Sequence, residues 1–199
     1  FTIFESPWDL FLCFIMQSVK ALSYFTVLGK LKTLKRTGWV ENGIDLPESV
    51  ADHMYRMSML AFALRDPAVN RDRLIKICLV HDLAEALVGD ITPHDQKVTK
   101  EQKRVLEEQA IEQIVVDFGD NEMASEIRGL WLEYEDGTTL EAEAAKQLDK
   151  FEMIVQANEY EQVHPEKRLD SFFKSTENSF SHPEIVGWAD ALRAERSAR

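Results

Sequence analysis

Residues 75–95 read IKICLVHDLAEALVGDITPHD. An apolar run gives way to His81-Asp82, Glu85 follows one helical turn later, and Gly89-Asp90 closes the segment. A stretch this apolar is expected to be buried. Ionisable groups in a buried helix are costly unless they are paired, hydrogen-bonded or bound to metal. On a helix, residues three and four apart share a face, so His81, Asp82 and Glu85 are expected to line one wall of a pocket. Imidazole with carboxylate suits a first-row transition metal, and added carboxylates favour harder cations such as Mg²⁺. Taken alone, a His-Asp dipeptide reads more simply as an ordinary hydrogen-bonded pair.

Working outward from this stretch, helical spacing dominates and no alternating strand of useful length stands out. Helices are expected over about 8–19, 21–35, 50–65, 70–88, 99–118, 121–134, 138–161 and 183–196. Ser49 is placed to cap the third, and Thr99-Lys-Glu-Gln102 is a capping-box pattern. Thr138 to Glu141 offers a second capping box, while Gly89 and Gly119 suit helix ends. Arg36 to Pro47 reads as a loop holding Trp39. Residues 162–182 read as polar and irregular, with one short helix at most.

The chain has 199 residues, enough for one domain with a sizeable core, and 45% of them are apolar. Its net charge of −12 argues against a general nucleic-acid binder, which needs a basic face for phosphates. Cys13 and Cys78 form no CxxC pair and no disulfide framework, which favours a reducing compartment and a cytoplasmic location. Residues 1–20 read as an apolar helical extension and 21–199 as the main domain. The apolar core of that extension, residues 10–16, is too short for a membrane span of about 20 residues. Its apolar excess favours a helix that packs or meets a partner.

Two further residues matter only in combination. His53 sits beside an apolar stripe of Val50, Met54 and Met57, where a lone histidine is usually a satisfied core or boundary residue. Asp149 has Ala145, Glu152 and Met153 as helical neighbours, a mixed face for which solvent exposure is the ordinary expectation. Yet a histidine, a His-Asp pair 28 residues on, and an aspartate 67 residues after that pair share one helical chain. This order, H…HD…D, resembles the HD-domain metal-dependent phosphohydrolases. RTGWV at 36–40, PESVADHMYRM at 47–57, HDLAEALVGDITP at 81–93 and KQLDKFEMIVQANEYE at 146–161 are similar to its 5′-deoxynucleotidase branch. The likeness covers residues 21–197.

The resemblance implies an all-α fold, a single HD-domain helical bundle with a metal site between helices. It implies that His53, His81, Asp82 and Asp149 ligate a divalent cation such as Mn²⁺, Co²⁺ or Mg²⁺. Glu85 then matches the catalytic glutamate, and Asp90 a second acidic residue for substrate or a further ion. Ile91 and Thr92 match positions that approach the ligand, and Arg36 and Trp39 the region that orients phosphate and covers the nucleoside. Without the resemblance, Arg36 reads equally as part of a solvated basic face and Trp39 as a core anchor. The implied reaction converts deoxynucleoside 5′-monophosphates to deoxynucleosides and phosphate, in a homodimer with no nucleic-acid polymer as partner. Alternatives are an HD-domain hydrolase of another phosphate ester, or a helical interaction module with a structural metal. Between Asp82 and Asp149 the only histidine is His94, too few for a histidine-rich di-iron site.

Overall fold

The computed structural model describes residues 7–92, 95, 97–119 and 121–199. Pro93 and His94, and the first six residues of the expected extension, lie outside that set. Ten helices are present among the described residues: α1 (Pro7–Leu31), α2 (Thr37–Glu41), α3 (Val50–Ala63), α4 (Arg71–Val80), α5 (Glu85–Val88), α6 (Lys100–Phe118), α7 (Glu122–Asp136), α8 (Leu140–Val163), α9 (Asp170–Ser175) and α10 (Pro183–Ser197). The only strand-like pairing among these residues is one antiparallel bridge, Lys35 with Ser49.

Local chemistry sets most boundaries. The Ser49 hydroxyl accepts from Asp52 N at 3.1 Å and the Asp52 carboxylate accepts from Ser49 N at 2.8 Å, a reciprocal box that starts α3. Thr99 and Gln102 close the same box at α6, with distances of 3.2 and 2.9 Å. At α8 the cap is Thr139, one residue beyond the expected Thr138; its Oγ1 accepts from Ala142 N and donates to Glu133 at 2.6 Å, tying the cap to α7. Gly89 has φ +83°, a conformation that a side chain resists.

Three expectations need correction. The helices expected at 8–19 and 21–35 are one, because Val19-Lys20-Ala21 holds no breaker and Lys and Ala favour helix. As a result the apolar run is longer than residues 10–16: Phe11–Leu31 is long and apolar enough, by length and composition, to cross a membrane. The expected loop after Arg36 contains α2, which carries Trp39. The expected helix 70–88 divides into α4 and α5, with Leu83 N bonded to Val80 O and Glu85 N to Asp82 O. These three-residue steps tighten the chain to about three residues per turn, so Asp82 and Glu85 come into line.

α8 is the central element, roughly 36 Å long at 1.5 Å per residue. α3, α4, α7, α9 and α10 pack on it, α6 packs on α7, and α1 lies on α5 and α6. Leu148 and Ile154 of α8 meet Met57, Leu74, Ile77 and Trp131 in a core closed to solvent. Burial of each such side chain stabilises by about 1.5–3 kcal/mol. α3, α4 and α8 are thereby fixed against one another, and these three helices, with the turn after α4, carry the chemistry.

Candidate metal centre and cavity

The first turn of α3 brings His53 into the interior, and the last turn of α4 brings His81 beside it. His53 Nδ1 lies 2.5 Å from Glu152 Oε2, and His81 Nδ1 lies 2.9 Å from the carbonyl of Cys78. Both acceptors engage Nδ1, which leaves each Nε2 facing the cluster. Neither Nε2 has a hydrogen-bond partner among the described residues, although both rings are buried. Donor atoms of His53, His81 and Asp149 all lie within 4.8 Å of one another. Asp82 Oδ2 joins them at 3.2 Å from His81 Nε2 and 3.8 Å from His53 Nε2. Buried nitrogens left unsatisfied are expensive, and their convergence with two carboxylates fits a divalent cation. Imidazole and carboxylate are also the donors such ions prefer.

Electrostatics reinforce the site. Burial alone would raise the Asp82 carboxyl, but His81, Arg36 and His53 hold it well below the usual carboxylate range. Asp149 is likewise held low against burial, by Lys150 and His53. Burial and Arg36 oppose charge on His53, and Glu152 with Asp149 outweighs them, raising it to about 9. Arg36 donates from Nη1 to Asp82 at 3.1 Å and sits 3.9 Å from Asp149. Its backbone is pinned by Arg36 N to Glu48 O at 3.2 Å.

Above this cluster opens a cavity of about 600 Å³, lined among others by Arg36, Trp39, Glu85, Asp90, Ile91 and Thr92. Every expected ligand, catalytic or substrate-binding residue, apart from fully enclosed His53, therefore reaches one cavity. Glu85 is 2% exposed and its Oε2 has no partner among the described residues. Burial, then Asp82 and Asp90, push its pKa well above the ordinary glutamate value. Asp90 has a structural duty: its Oδ2 accepts from Thr37 N at 2.6 Å and its carbonyl from the Thr37 hydroxyl at 2.7 Å. It thus tethers α2 to the segment after α5.

Trp39 is both core anchor and cavity wall. Its Nε1 donates to Glu48 at 2.8 Å and its ring lies 4.5 Å from Phe172. Lys103 crosses the mouth, donating to the Ile91 carbonyl at 2.9 Å and facing Glu107 at 3.5 Å. Glu152, Tyr134, Lys103, Glu107 and Phe172 are site residues that sequence reasoning missed. Tyr134 is half-buried against the His81 ring, 4.9 Å between centroids. Glu152 is the clearest correction: on the mixed face expected around Asp149, Asp149 and Met153 are half-buried on the cavity and Glu152 is wholly buried. Its position one turn beyond a candidate ligand was the available signal.

Comparison with known proteins identifies the family. A family model described as HD domain matches residues 28–186. The 5′-deoxynucleotidase HDDC2 of Dictyostelium discoideum is 49% identical over 187 residues, covering 88% of this chain and 97% of the relative. The human 5′-deoxynucleotidase HDDC2 is 46% identical over 177 residues, covering 88% and 86%. Among solved structures, the PH0347 protein of Pyrococcus horikoshii superposes with a TM-score of 0.72 at 26% identity, covering 89% of this chain and 99% of that one.

Proposed function

The chain belongs to the HD-domain family, and from that membership we propose that it is a metal-dependent 5′-deoxynucleotidase, releasing phosphate from deoxynucleoside 5′-monophosphates. The observation that carries the reading is the convergence of two unpartnered imidazole nitrogens with Asp82 and Asp149 at the base of the cavity. His53, His81, Asp82 and Asp149 would hold one divalent ion, Mn²⁺, Co²⁺ or Mg²⁺. When bound, such an ion polarises the phosphoryl group and makes water a stronger nucleophile.

This chain's own groups account for the remaining needs of the reaction. Arg36 stays charged, because three surrounding aspartates outweigh burial, and its planar donors suit a phosphate in a way that lysine does not. Glu85, buried on the cavity wall one turn from the ligands, is placed to move a proton to the leaving 5′ oxygen; general acid–base help of this kind is worth about 10²–10⁴-fold. Asp90 positions substrate through its tether to α2, or helps hold a second ion with Glu85. Trp39 and Phe172 on one side, with Ile91 and Thr92 also lining the cavity, give the nucleoside an apolar wall and exclude water. The apolar outer face of α1 supports a homodimer, and the free thiols of Cys13 and Cys78 support a reducing, cytoplasmic location.

The test is phosphate release from dAMP, dCMP and AMP by the purified chain with each of the three metals. The expected result is turnover of both deoxynucleotides ahead of AMP. Metal-loaded protein that releases no phosphate from any of them would refute the proposal.

A further inference from the structure

Two of the polar contacts between α3 and α8 lie one helical turn apart. The first is His53 with Asp149, at 3.3 Å from Nε2 to Oδ1. One helical turn on from each, Arg56 meets Glu152, 2.7 Å from Nε to Oε1. Glu152 has no exposed surface, and its other oxygen takes the Nδ1 proton of His53 at 2.5 Å. Both oxygens of a buried anion are therefore committed, one to a candidate ligand and one to a cation. Arg56 is itself held in place: it bonds Gln156, donates to Glu159 at 2.7 Å, and has Glu48 3.7 Å away. Glu152 is fully buried while Arg56 is only part-buried, and an ion pair of this kind is a poor device for stability, since taking the carboxylate out of water offsets most of its attraction. Its geometry serves the imidazole instead.

The two histidines also differ. His81 gives its Nδ1 proton to a neutral carbonyl, whereas His53 gives its own to a carboxylate. An anionic acceptor makes the opposite nitrogen the stronger electron donor and fixes the ring's rotation.

We propose that Glu152 is a positioning residue: clamped by Arg56, it orients His53 so that Nε2 faces the metal position and strengthens that nitrogen as a ligand. This rests on the reading of His53 as a ligand, and on no step of the hydrolysis.

The experiment is calorimetric titration of the full metal-free chain with Co²⁺, without nucleotide, for wild type, Glu152→Gln, Glu152→Ala and His53→Ala. The visible spectrum of the bound cobalt is recorded for each. Removing such an outer partner typically weakens metal binding by about 10–100-fold. Glu152→Ala is expected in that range, with a shifted cobalt spectrum. Glu152→Gln keeps an acceptor of the same shape without the charge, so it should lose less; it also decides the matter if the alanine variant does not fold. Turnover in both should rise toward wild type as metal concentration is raised. A purely structural brace would lower the melting temperature of the metal-free protein and leave cobalt affinity and spectrum alone, which would overturn the proposal. Unchanged affinity in His53→Ala would overturn the underlying assignment of His53, and the proposal with it. A large loss in His53→Ala with none in Glu152→Gln and Glu152→Ala would overturn the positioning role alone.

Discussion

At the scale of single residues, Glu85 shows how the site trades stability for chemistry. Its carboxyl is buried beside Asp82 and Asp90 with one oxygen unpartnered among the described residues. Nothing in folding rewards that arrangement, and an orphaned buried oxygen typically costs about 1–3 kcal/mol. Glu85→Gln keeps the shape and removes the proton donor. Turnover is expected to fall by about 10²–10⁴-fold, the usual worth of general acid–base help. The ion proposed to sit on His53, His81, Asp82 and Asp149 should be retained, measured by elemental analysis, because Glu85 is not one of those four donors. The melting temperature should not drop, since a neutral amide is no harder to bury than this carboxyl. Loss of metal together with activity would instead make Glu85 a ligand. Legibility at this scale followed chemistry type and spacing. His53 and Asp149 are ambiguous alone and become specific through their order around the His-Asp pair. Glu152 escaped because its role depends on which helix faces α8, a fact of tertiary packing that no local pattern encodes.

Elements were legible where a side chain closes its own helix end. The box at Thr99 is written in four residues and formed as expected, and Ser49 caps α3 as expected, with Asp52 completing a box there; the box expected at Thr138 is replaced by a cap at Thr139. The break between α4 and α5 was illegible, because no glycine or proline marks it and the apolar pattern runs through. α6 shows the same limit: its Glu107 faces inward toward the cavity and is only 8% exposed. Burial raises that carboxyl to about 7 from 4.5, with Lys103 offsetting part of the effect. The consequence for stability has a definite sign. Between pH 4.5 and 7 the folded chain keeps a proton at Glu107 that the unfolded chain has lost. Folding therefore weakens as pH rises through this window, and Glu107's contribution is most favourable below it. Glu107→Gln cannot ionise, so its stability should fall less over the same range. Urea unfolding at pH 5, 6, 7 and 8 would show the variant gaining on wild type at each step up to pH 7, then levelling. A difference independent of pH would contradict the assignment.

For the whole molecule, the unresolved issue is why α1 runs on past the domain it sits against. Its later turns are docked: Val27 and Leu31 belong to the core, and Tyr24 stacks on Phe118 at 4.5 Å. Its earlier turns show Trp8, Phe11, Leu12, Phe14, Met16 and Val19 to solvent, each more than half exposed. An apolar patch of several hundred Å² on a folded protein marks an interaction surface. A standard protein interface covers about 800 Å² per partner, a size that one helix face of this length and composition approaches. A second copy would supply the same face by two-fold symmetry. The active-site cavity draws no lining residue from α1, so association and catalysis should separate. Removing residues 1–19 keeps the docked turns from Tyr24 to Leu31. The shortened chain is expected to retain its melting temperature within a few degrees and its metal-dependent turnover, and to change from dimer to monomer in light scattering at micromolar concentration. A full-length chain already monomeric there would refute the dimer. A shortened chain that stays dimeric would move the interface away from α1, and one that loses turnover would show that the site depends on a segment outside its walls.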